Sequence, residues 1–184
     1  LEAARDRFGE VGFERSTIRS IATAAGVDPA LVHHHFGSKQ ALFAAAHELP
    51  MDPSETITAI ASLPSEDRGE AIARLYLTLM GAADSSALSL IRAAATHDGA
   101  SRMLREFIED VLLSQADTLV DRDDARLRLA LIGSHMMGLA FARSILQVPD
   151  LVAADTERLV TALAPTVTRY LTDPGLFDLS QPAD

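Results

Sequence analysis

A glycine-centred turn between two short helical patterns, in the first quarter of the sequence, constrains the fold more than any other feature. Ser16 or Thr17 can cap the first helix, because a side-chain oxygen there accepts a hydrogen bond from an unpaired amide of the first turn. Gly26 follows the last apolar position of that helix, where a left-handed residue commonly ends a helix. Asp28 and Pro29 then supply an N-cap and a first helical residue. The sequence therefore predicts two helices joined by a sharp turn.

The second of these helices has two faces of different character. Leu31, Val32 and Phe36 are expected to form its inner face. The outer positions are small or carry hydrogen-bonding groups, and they are Ala30, His33, His34 and His35. A helix with such an outer face suits the major groove of DNA, where the base edges present donors, acceptors and methyl groups. We interpret the pair as a helix-turn-helix.

Three linked elements occur in a fixed order around this pair of helices. A first helical segment carries Phe8 and a Gly12-Phe13 step, and it is followed by the pattern T-I-R-x-I-A-x-A-A-G-V. A short helix that ends in an aromatic residue then precedes G-S-K-x-x-L-F. With these elements the stretch from Leu1 to Ala46 resembles the TetR family of bacterial transcriptional regulators. The ordered combination makes this resemblance far more specific than a helix-turn-helix pattern alone.

The resemblance implies an all-α fold, with an N-terminal three-helix head and a C-terminal helical domain for effector binding and dimerisation. It also implies a homodimer that binds double-stranded, palindromic operator DNA and is released when a small molecule binds. Repression is the expected effect on transcription. The alternative is an all-helical small-molecule binding or interaction protein that does not bind DNA.

The resemblance further implies which residues of the head contact DNA. Thr17 corresponds to a phosphate contact at the start of the second helix, where the helix dipole favours an anion. Lys39, the only lysine among 184 residues, corresponds to a lysine that reaches the DNA backbone. The predicted DNA-binding residues are Thr17, Arg19, Pro29, Ala30, His33, His34, His35 and Lys39. Two residues depart from the family pattern, because His33 stands where tyrosine is usual and Asp28 places a carboxylate near the phosphates.

The charge of the chain suits DNA binding only when it is divided along the sequence. The formal net charge is −10. Residues 1–49 contain five basic and six acidic residues, whereas the remainder contains 11 basic and 20 acidic residues. The acidity therefore lies away from the predicted head. Because phosphate neutralisation supplies most non-specific affinity, a nearly neutral head predicts modest non-specific binding.

Composition excludes several classes of protein and of site. The chain has no cysteine, so disulfides and thiolate metal sites are excluded. No apolar run approaches the roughly 20 residues of a membrane span, and no signal-peptide pattern is visible, so we expect a cytoplasmic protein. No histidine follows a glutamate by three residues, which argues against a helical di-metal enzyme. We expect no enzymatic activity, no metal and no cofactor. Since the chain begins at Leu1 and not at Met, we expect an N-terminal arm, often basic in this family, to be missing from it.

Two prolines interrupt the helical pattern after the head. Pro50 and Pro53 lie close together in the sequence and disfavour a continuous helix. We therefore predict a DNA-binding domain at residues 1–47, an effector-binding and dimerisation domain at 48–172, and a tail at 173–184. Beyond the prolines the pattern stays helical and shows no strand alternation.

A ridge of small side chains marks a candidate dimer interface between residues 124 and 148. Ala130, Ser134, Gly138 and Ala142 recur every four residues, which lets another helix approach closely. The resemblance implies that this helix and the next long one pair with their copies in a four-helix bundle, and an intrachain core is the alternative. The predicted interface residues are Ala130, Gly133, Ser134, Met137, Gly138, Phe141, Ala142, Leu159, Leu163, Val167 and Tyr170.

The opposite face of the ridge helix is expected to face the rest of its own domain. It carries Ile132, Met136, Leu139 and Arg143. The resemblance implies an effector cavity on this side, and a filled core is the alternative. The predicted lining is Leu75, Tyr76, Leu79, Met80, Ile91, Phe107, Ile108 and Met136. A mostly apolar lining indicates a hydrophobic or amphipathic small molecule.

Overall fold

The computed structural model describes residues 1–49, 51–81 and 85–177, and every regular element in these ranges is helical. The predicted all-α fold class is therefore confirmed. The α-helices are α1 (Glu2–Arg15), α2 (Ile18–Ala25), α3 (Pro29–Phe36), α4 (Lys39–Ala46), α5 (Pro53–Ala61), α6 (Ser65–Gly81), α7 (Ser86–Thr96), α8 (Asp98–Phe107), α9 (Ala116–Leu119), α10 (Ala125–Ala140), α11 (Pro149–Ala153) and α12 (Thr156–Thr172). Wider π-helical turns follow α8 at Ile108–Leu112 and α10 at Phe141–Ile145, and a 3₁₀ turn occupies Leu113–Gln115. None of the described helices combines the length and apolar character needed to cross a membrane.

The chain forms two compact units that do not follow the predicted domain boundary. The first unit contains Leu1–Thr58 and Leu79–Gln115, and the second contains Ala59–Thr78 and the chain from Ala116 onward. The first unit thus combines the predicted head with α7 and α8. Pro50, which helped to define the predicted boundary, and positions 178–184 of the predicted tail lie outside the described residues.

An aromatic cluster at the centre of the first unit explains why α8 belongs with the head. The ring of Phe107 at the end of α8 stacks on Phe43 of α4, with 4.4 Å between the ring centroids. The same ring meets Phe13 of α1 edge to face at 5.8 Å. Such aromatic pairs contribute about 0.5–1.5 kcal/mol each beyond the area they bury. The prediction that Phe107 lines an effector cavity is wrong in this structure, because the ring fills the core beside the head helices.

The second unit is built around the packing of α10 and α12. Leu77, Leu159 and Val160 form a buried cluster, against which Leu139 and Leu163 pack. This arrangement corrects part of the predicted dimer interface. Leu159 is 8% exposed and Val167 is 0% exposed within the single chain, so neither side chain is free for a partner subunit. The apolar stripe of α12 was assigned to a partner, but helices of its own chain cover these two positions.

A buried arginine joins the ends of the two long helices of the second unit. Arg128 of α10 is 1% exposed. Its Nε donates to Oδ1 of Asp124 at 2.6 Å, and its Nη1 donates to the carbonyl oxygen of Tyr170 on α12 at 2.9 Å. The pairing with Arg128 holds the pKa of Asp124 below its usual range. Because a buried charge is tolerated only when it is paired and hydrogen-bonded, Arg128 fixes the position of α10 relative to α12.

Candidate nucleic-acid interface

The turn between α2 and α3 has the local structure that the sequence predicts. Thr17 caps α2, since its Oγ1 accepts from the amide of Ser20 at 3.0 Å while Ser20 Oγ accepts from the amide of Thr17 at 3.1 Å. Gly26 ends α2 in the left-handed conformation, with φ 69° and ψ 29°. Asp28 caps α3, because its Oδ1 accepts from the amide of Ala30 at 2.7 Å. The predicted helix-turn-helix is confirmed.

The exposed face of α3 carries one large apolar residue, Leu31, which is predicted to lie on the inner face. Val32 is 8% exposed, and Phe36, one turn later, packs against the core of the first unit. Leu31 is 58% exposed, so its predicted inward orientation is wrong. The physical reason is the helical period: Leu31 shares its face with the residues three and four positions later, which are His34 and His35.

The other residues predicted to contact DNA from α2 and α3 lie at the protein surface. Ala30, His33, His34 and His35 are all exposed, and Pro29 is half-buried at the first position of α3. Thr17 and Arg19 at the start of α2 are exposed as well. The ring of His35 meets the ring of Phe36 edge to face at 4.6 Å. A surface of imidazoles beside apolar Ala30 and Leu31 therefore spans the length of α3.

Lys39 adopts a different role from the one that the resemblance implied. Its Nζ donates to the carbonyl oxygens of Phe13 at 3.0 Å and Glu14 at 3.3 Å, and it lies 4.3 Å from the centroid of the Phe13 ring. These carbonyls belong to the last turn of α1, where the helix dipole attracts a cation, and the oxygen of Phe13 also accepts from the amide of Ser16 at 3.3 Å. Burial lowers the pKa of Lys39, against the opposing charges of Asp110, Glu14 and Glu106. The ammonium therefore caps α1 and does not extend towards DNA in this structure.

The small-residue ridge of α10 is exposed in the single chain. Ala130, Gly133, Ser134 and Gly138 are exposed, and Phe141 just beyond them is 42% exposed. The opposite face is inward, as expected, because Ile132 and Met136 are 4% and 0% exposed. The remaining residues of the predicted interface are half-buried, and they are Met137, Ala142, Leu163 and Tyr170.

The residues predicted to line an effector cavity are divided between the two units. Leu75, Tyr76 and Met136 lie in the second unit. The first unit contains Leu79, Met80, Ile91, Phe107 and Ile108. The hydroxyl of Tyr76 is buried without a hydrogen-bond partner among the described residues, and burial raises the pKa of this phenol. The sequence pattern groups these residues because each lies on an apolar helix face. An apolar face does not show which other helix it packs against, so the pattern cannot show whether two such faces line the same cavity.

Comparisons with known proteins agree with this architecture over nearly the whole chain. The model of the family described as "Bacterial regulatory proteins, tetR family" matches residues 1–46. The model described as "Tetracyclin repressor-like, C-terminal domain" matches residues 66–171. A crystal structure of a TetR-family regulator from Streptomyces coelicolor A3 has a TM-score of 0.51 and 31% sequence identity, and the match covers 94% of this chain and 92% of that one.

Two curated relatives are similar to this chain over a shorter stretch. The HTH-type transcriptional regulatory protein RaaS of Mycobacterium tuberculosis is 46% identical over 66 residues, which are 36% of this chain and 30% of the relative. The HTH-type transcriptional repressor AcnR of Corynebacterium efficiens is 41% identical over 59 residues, which are 32% of this chain and 31% of the relative. The chain thus spans about a third of the length of these relatives. With its capped helix-turn-helix and both family models matched, the chain belongs to the TetR family of bacterial transcriptional regulators.

Proposed function

We propose that this protein is a ligand-responsive repressor that binds a palindromic operator as a homodimer and leaves it when a small molecule occupies the C-terminal domain. The observation that carries the proposal is the exposed face of α3, which is held by a capped turn and carries three histidines beside Leu31. Apart from the contact between His35 and Phe36, these side chains face solvent, and they match the groups that DNA presents in its major groove.

The chemistry of the face suggests a division of roles. The imidazoles of His33, His34 and His35 donate and accept hydrogen bonds, so they suit base edges and phosphate oxygens. Leu31 and Ala30 are apolar, and they suit the methyl group that thymine presents in the major groove. Thr17 and Arg19 at the start of α2 are placed for phosphates, which set the register of a protein on DNA without reading its sequence.

The exposed ridge of α10 supports the homodimer. Exposed glycines in a helix cost about 1 kcal/mol each relative to alanine, and close approach of a second helix explains their presence. The proposed interface consists of Ala130, Gly133, Ser134, Met137, Gly138, Phe141, Ala142, Leu163 and Tyr170. A two-fold dimer presents two copies of α3 to the two half-sites of a palindrome.

Release by a ligand follows from linkage between two binding equilibria. A molecule that binds the DNA-free conformation more tightly weakens operator binding by the same factor. Leu75, Tyr76 and Met136 of the second unit are the residues proposed to contact this effector. The protein acts in the cytoplasm, where the operator lies.

The test is a gel shift with the DNA that flanks the gene for this protein. The parent should retard a fragment with two-fold symmetric sequence, and His34→Ala should lose most of this retardation. His97→Ala is the matched control, because His97 is an exposed histidine outside the proposed DNA face. Equal retardation by both variants would move the DNA interface away from α3. Failure of the parent to bind any flanking fragment would favour the small-molecule binding protein without DNA binding.

A further inference from the structure

The part of the head that contains α2, α3 and α4 carries very little fixed charge. From Thr17 to Ala46 the only side chains with a full charge near neutral pH are those of Arg19, Asp28 and Lys39. Proteins that bind DNA gain most of their non-specific affinity from cations that neutralise phosphates. The exposed face of α3 instead carries three imidazoles, and the charge of an imidazole depends on pH.

The structure leaves no net fixed charge on this part of the head for the phosphates. Lys39 is already engaged, since its Nζ donates to two carbonyl oxygens at the end of α1, at 3.0 and 3.3 Å. The carboxylate of Asp28 caps α3 by accepting from a backbone amide at 2.7 Å, and its negative charge repels phosphates there. Arg19 at the start of α2 is exposed, and its single positive charge is offset by that of Asp28. Further positive charge at α3 must therefore come from the imidazoles.

No charged side chain of the head is paired with these imidazoles. The helices packed against α3 are α2 and α4, so the charged groups around it are the three just named. None of them forms an ion pair with His33, His34 or His35 within the part of the chain that the structure describes. The remaining histidine of the head is His47, and burial lowers its pKa to about 4, so it stays neutral near pH 7. Any protons that the head takes up near neutral pH therefore bind on α3.

We propose that operator binding is linked to proton uptake, because His33, His34 and His35 bind DNA phosphates as imidazolium ions, so that affinity rises as the pH falls through neutrality. The proposal rests on the DNA-binding function and concerns its regulation. Free histidine titrates near pH 6.5, and a nearby negative charge favours the protonated form. Successive side chains of an α-helix diverge by about 100°, so the three rings spread around α3. The outer rings then approach the sugar-phosphate strands that border the major groove.

The test is the Kd of the full chain for the operator fragment identified by the gel shift. Fluorescence anisotropy measures it from about pH 8 to about pH 6 at constant ionic strength. Each proton taken up per complex changes the affinity about tenfold per pH unit, so uptake of about half to one proton per dimer should raise the affinity about 10–100-fold over this range. The Kd should also depend more steeply on salt at the lower pH, since more phosphates are then neutralised.

A triple variant tests whether the protons bind on α3. The combination of His33→Gln, His34→Gln and His35→Gln keeps hydrogen-bond donors and acceptors at the surface but removes the groups that can be protonated. It should bind about as tightly as the parent near pH 8, and its affinity should not change with pH. His97→Gln and His135→Gln are the matched controls, because both histidines are exposed and lie outside the head. Each control should keep the pH dependence of the parent.

Several results would overturn the proposal. One is a parent whose affinity does not change with pH. Others are a pH dependence that persists in the triple variant or is lost in either control, because the protons would then bind elsewhere. If the triple variant binds DNA at no pH, the three single variants decide. At least one of them must show a weaker pH dependence, and an unchanged dependence in all three would also reject the proposal.

The same measurement distinguishes failure of this inference from failure of the proposed function. A parent that binds the operator with equal affinity across the pH range keeps the operator-binding function and loses only the linkage to protons. A parent that binds no flanking fragment at either end of the range rejects both.

Discussion

Replacing Gly12 by alanine should destabilise the first unit by about 2–4 kcal/mol. Gly12 interrupts α1 with φ 88° and ψ 172°. This region of backbone conformation is open almost exclusively to glycine, and another residue held there costs about 1–3 kcal/mol. The interruption lets the chain turn so that Phe13 enters the aromatic core, where it is 1% exposed. Alanine cannot keep this geometry without strain.

Steric conflict with α8 adds a second contribution. A Cβ atom at Gly12 would stand 2.9 Å from Cδ of Glu106, and the carboxylate oxygen Oε2 would be closer still. That oxygen accepts a hydrogen bond from the amide of Glu14 at 3.0 Å. Displacing the carboxylate breaks this bond, which is worth about 0.5–1.5 kcal/mol. The two contributions together give the expected loss.

Gly9→Ala is the matched control in the same helix. A Cβ atom there meets no other atom within 4 Å, and the residue has ordinary helical φ. Alanine in an exposed helix interior is favoured over glycine by about 0.5–1 kcal/mol, so this variant should be more stable than the parent. Urea unfolding followed by circular dichroism measures both changes. If Gly12→Ala unfolds within about 1 kcal/mol of Gly9→Ala, the assigned backbone strain and steric conflict are refuted.

Three further predictions concern a buried histidine, a buried arginine and the dimer. Burial, with the nearby charge of Arg5, lowers the pKa of His47 to about 4. Between this pH and about 6.5 the unfolded chain binds more protons than the folded chain, so the free energy of unfolding should fall as the pH decreases through this range. His47→Gln should make the free energy of unfolding, measured with urea, less dependent on pH. Arg128→Met should cost about 1–3 kcal/mol of stability, because it removes the hydrogen bonds of Arg128 to the carboxylate of Asp124 and to the carbonyl oxygen of Tyr170, and an unchanged Tm would contradict this. Gly138→Arg should yield monomers in sedimentation, since a long side chain separates the paired α10 helices, and a stable dimer would reject the ridge as the interface.

The sequence predicts the helix-turn-helix well because every signal in it is local. Thr17 and Asp28 cap helices through amides two or three residues away, and Gly26 needs only its own backbone freedom. The inward face of α10 is also predicted by a local signal, because small residues recur every four positions on the opposite face of this helix. Helix caps and turns that are formed by residues a few positions apart in the chain could therefore be predicted at the level of single residues.

Apart from Leu31, the wrong predictions depend on contacts between residues far apart in the sequence. Lys39 caps α1 across 26 residues, and Phe107 stacks on Phe43 across 64 positions of the chain. A lysine at the start of a helix and an aromatic residue on an apolar face both have several possible partners. The prediction for Leu31 is wrong for a different reason. Because α3 has only eight residues, its hydrophobic period is poorly determined, and an error of one position rotates the assigned face by about 100°.

The end of α1 connects the head to the rest of the first unit through charged groups from two other helices. Lys39 of α4 donates to the carbonyls of Phe13 and Glu14, while Glu106 of α8 accepts from the amide of Glu14. The family motif specifies Lys39 and the Gly12-Phe13 step, but it does not specify Glu106, which lies outside the matched head segment. Residues that hold the head in place are thus distinct from the residues that face DNA. This separation explains why the motif identifies the family. The motif does not specify exposed side chains of α3 such as Leu31, and the choice of DNA bases depends on those side chains.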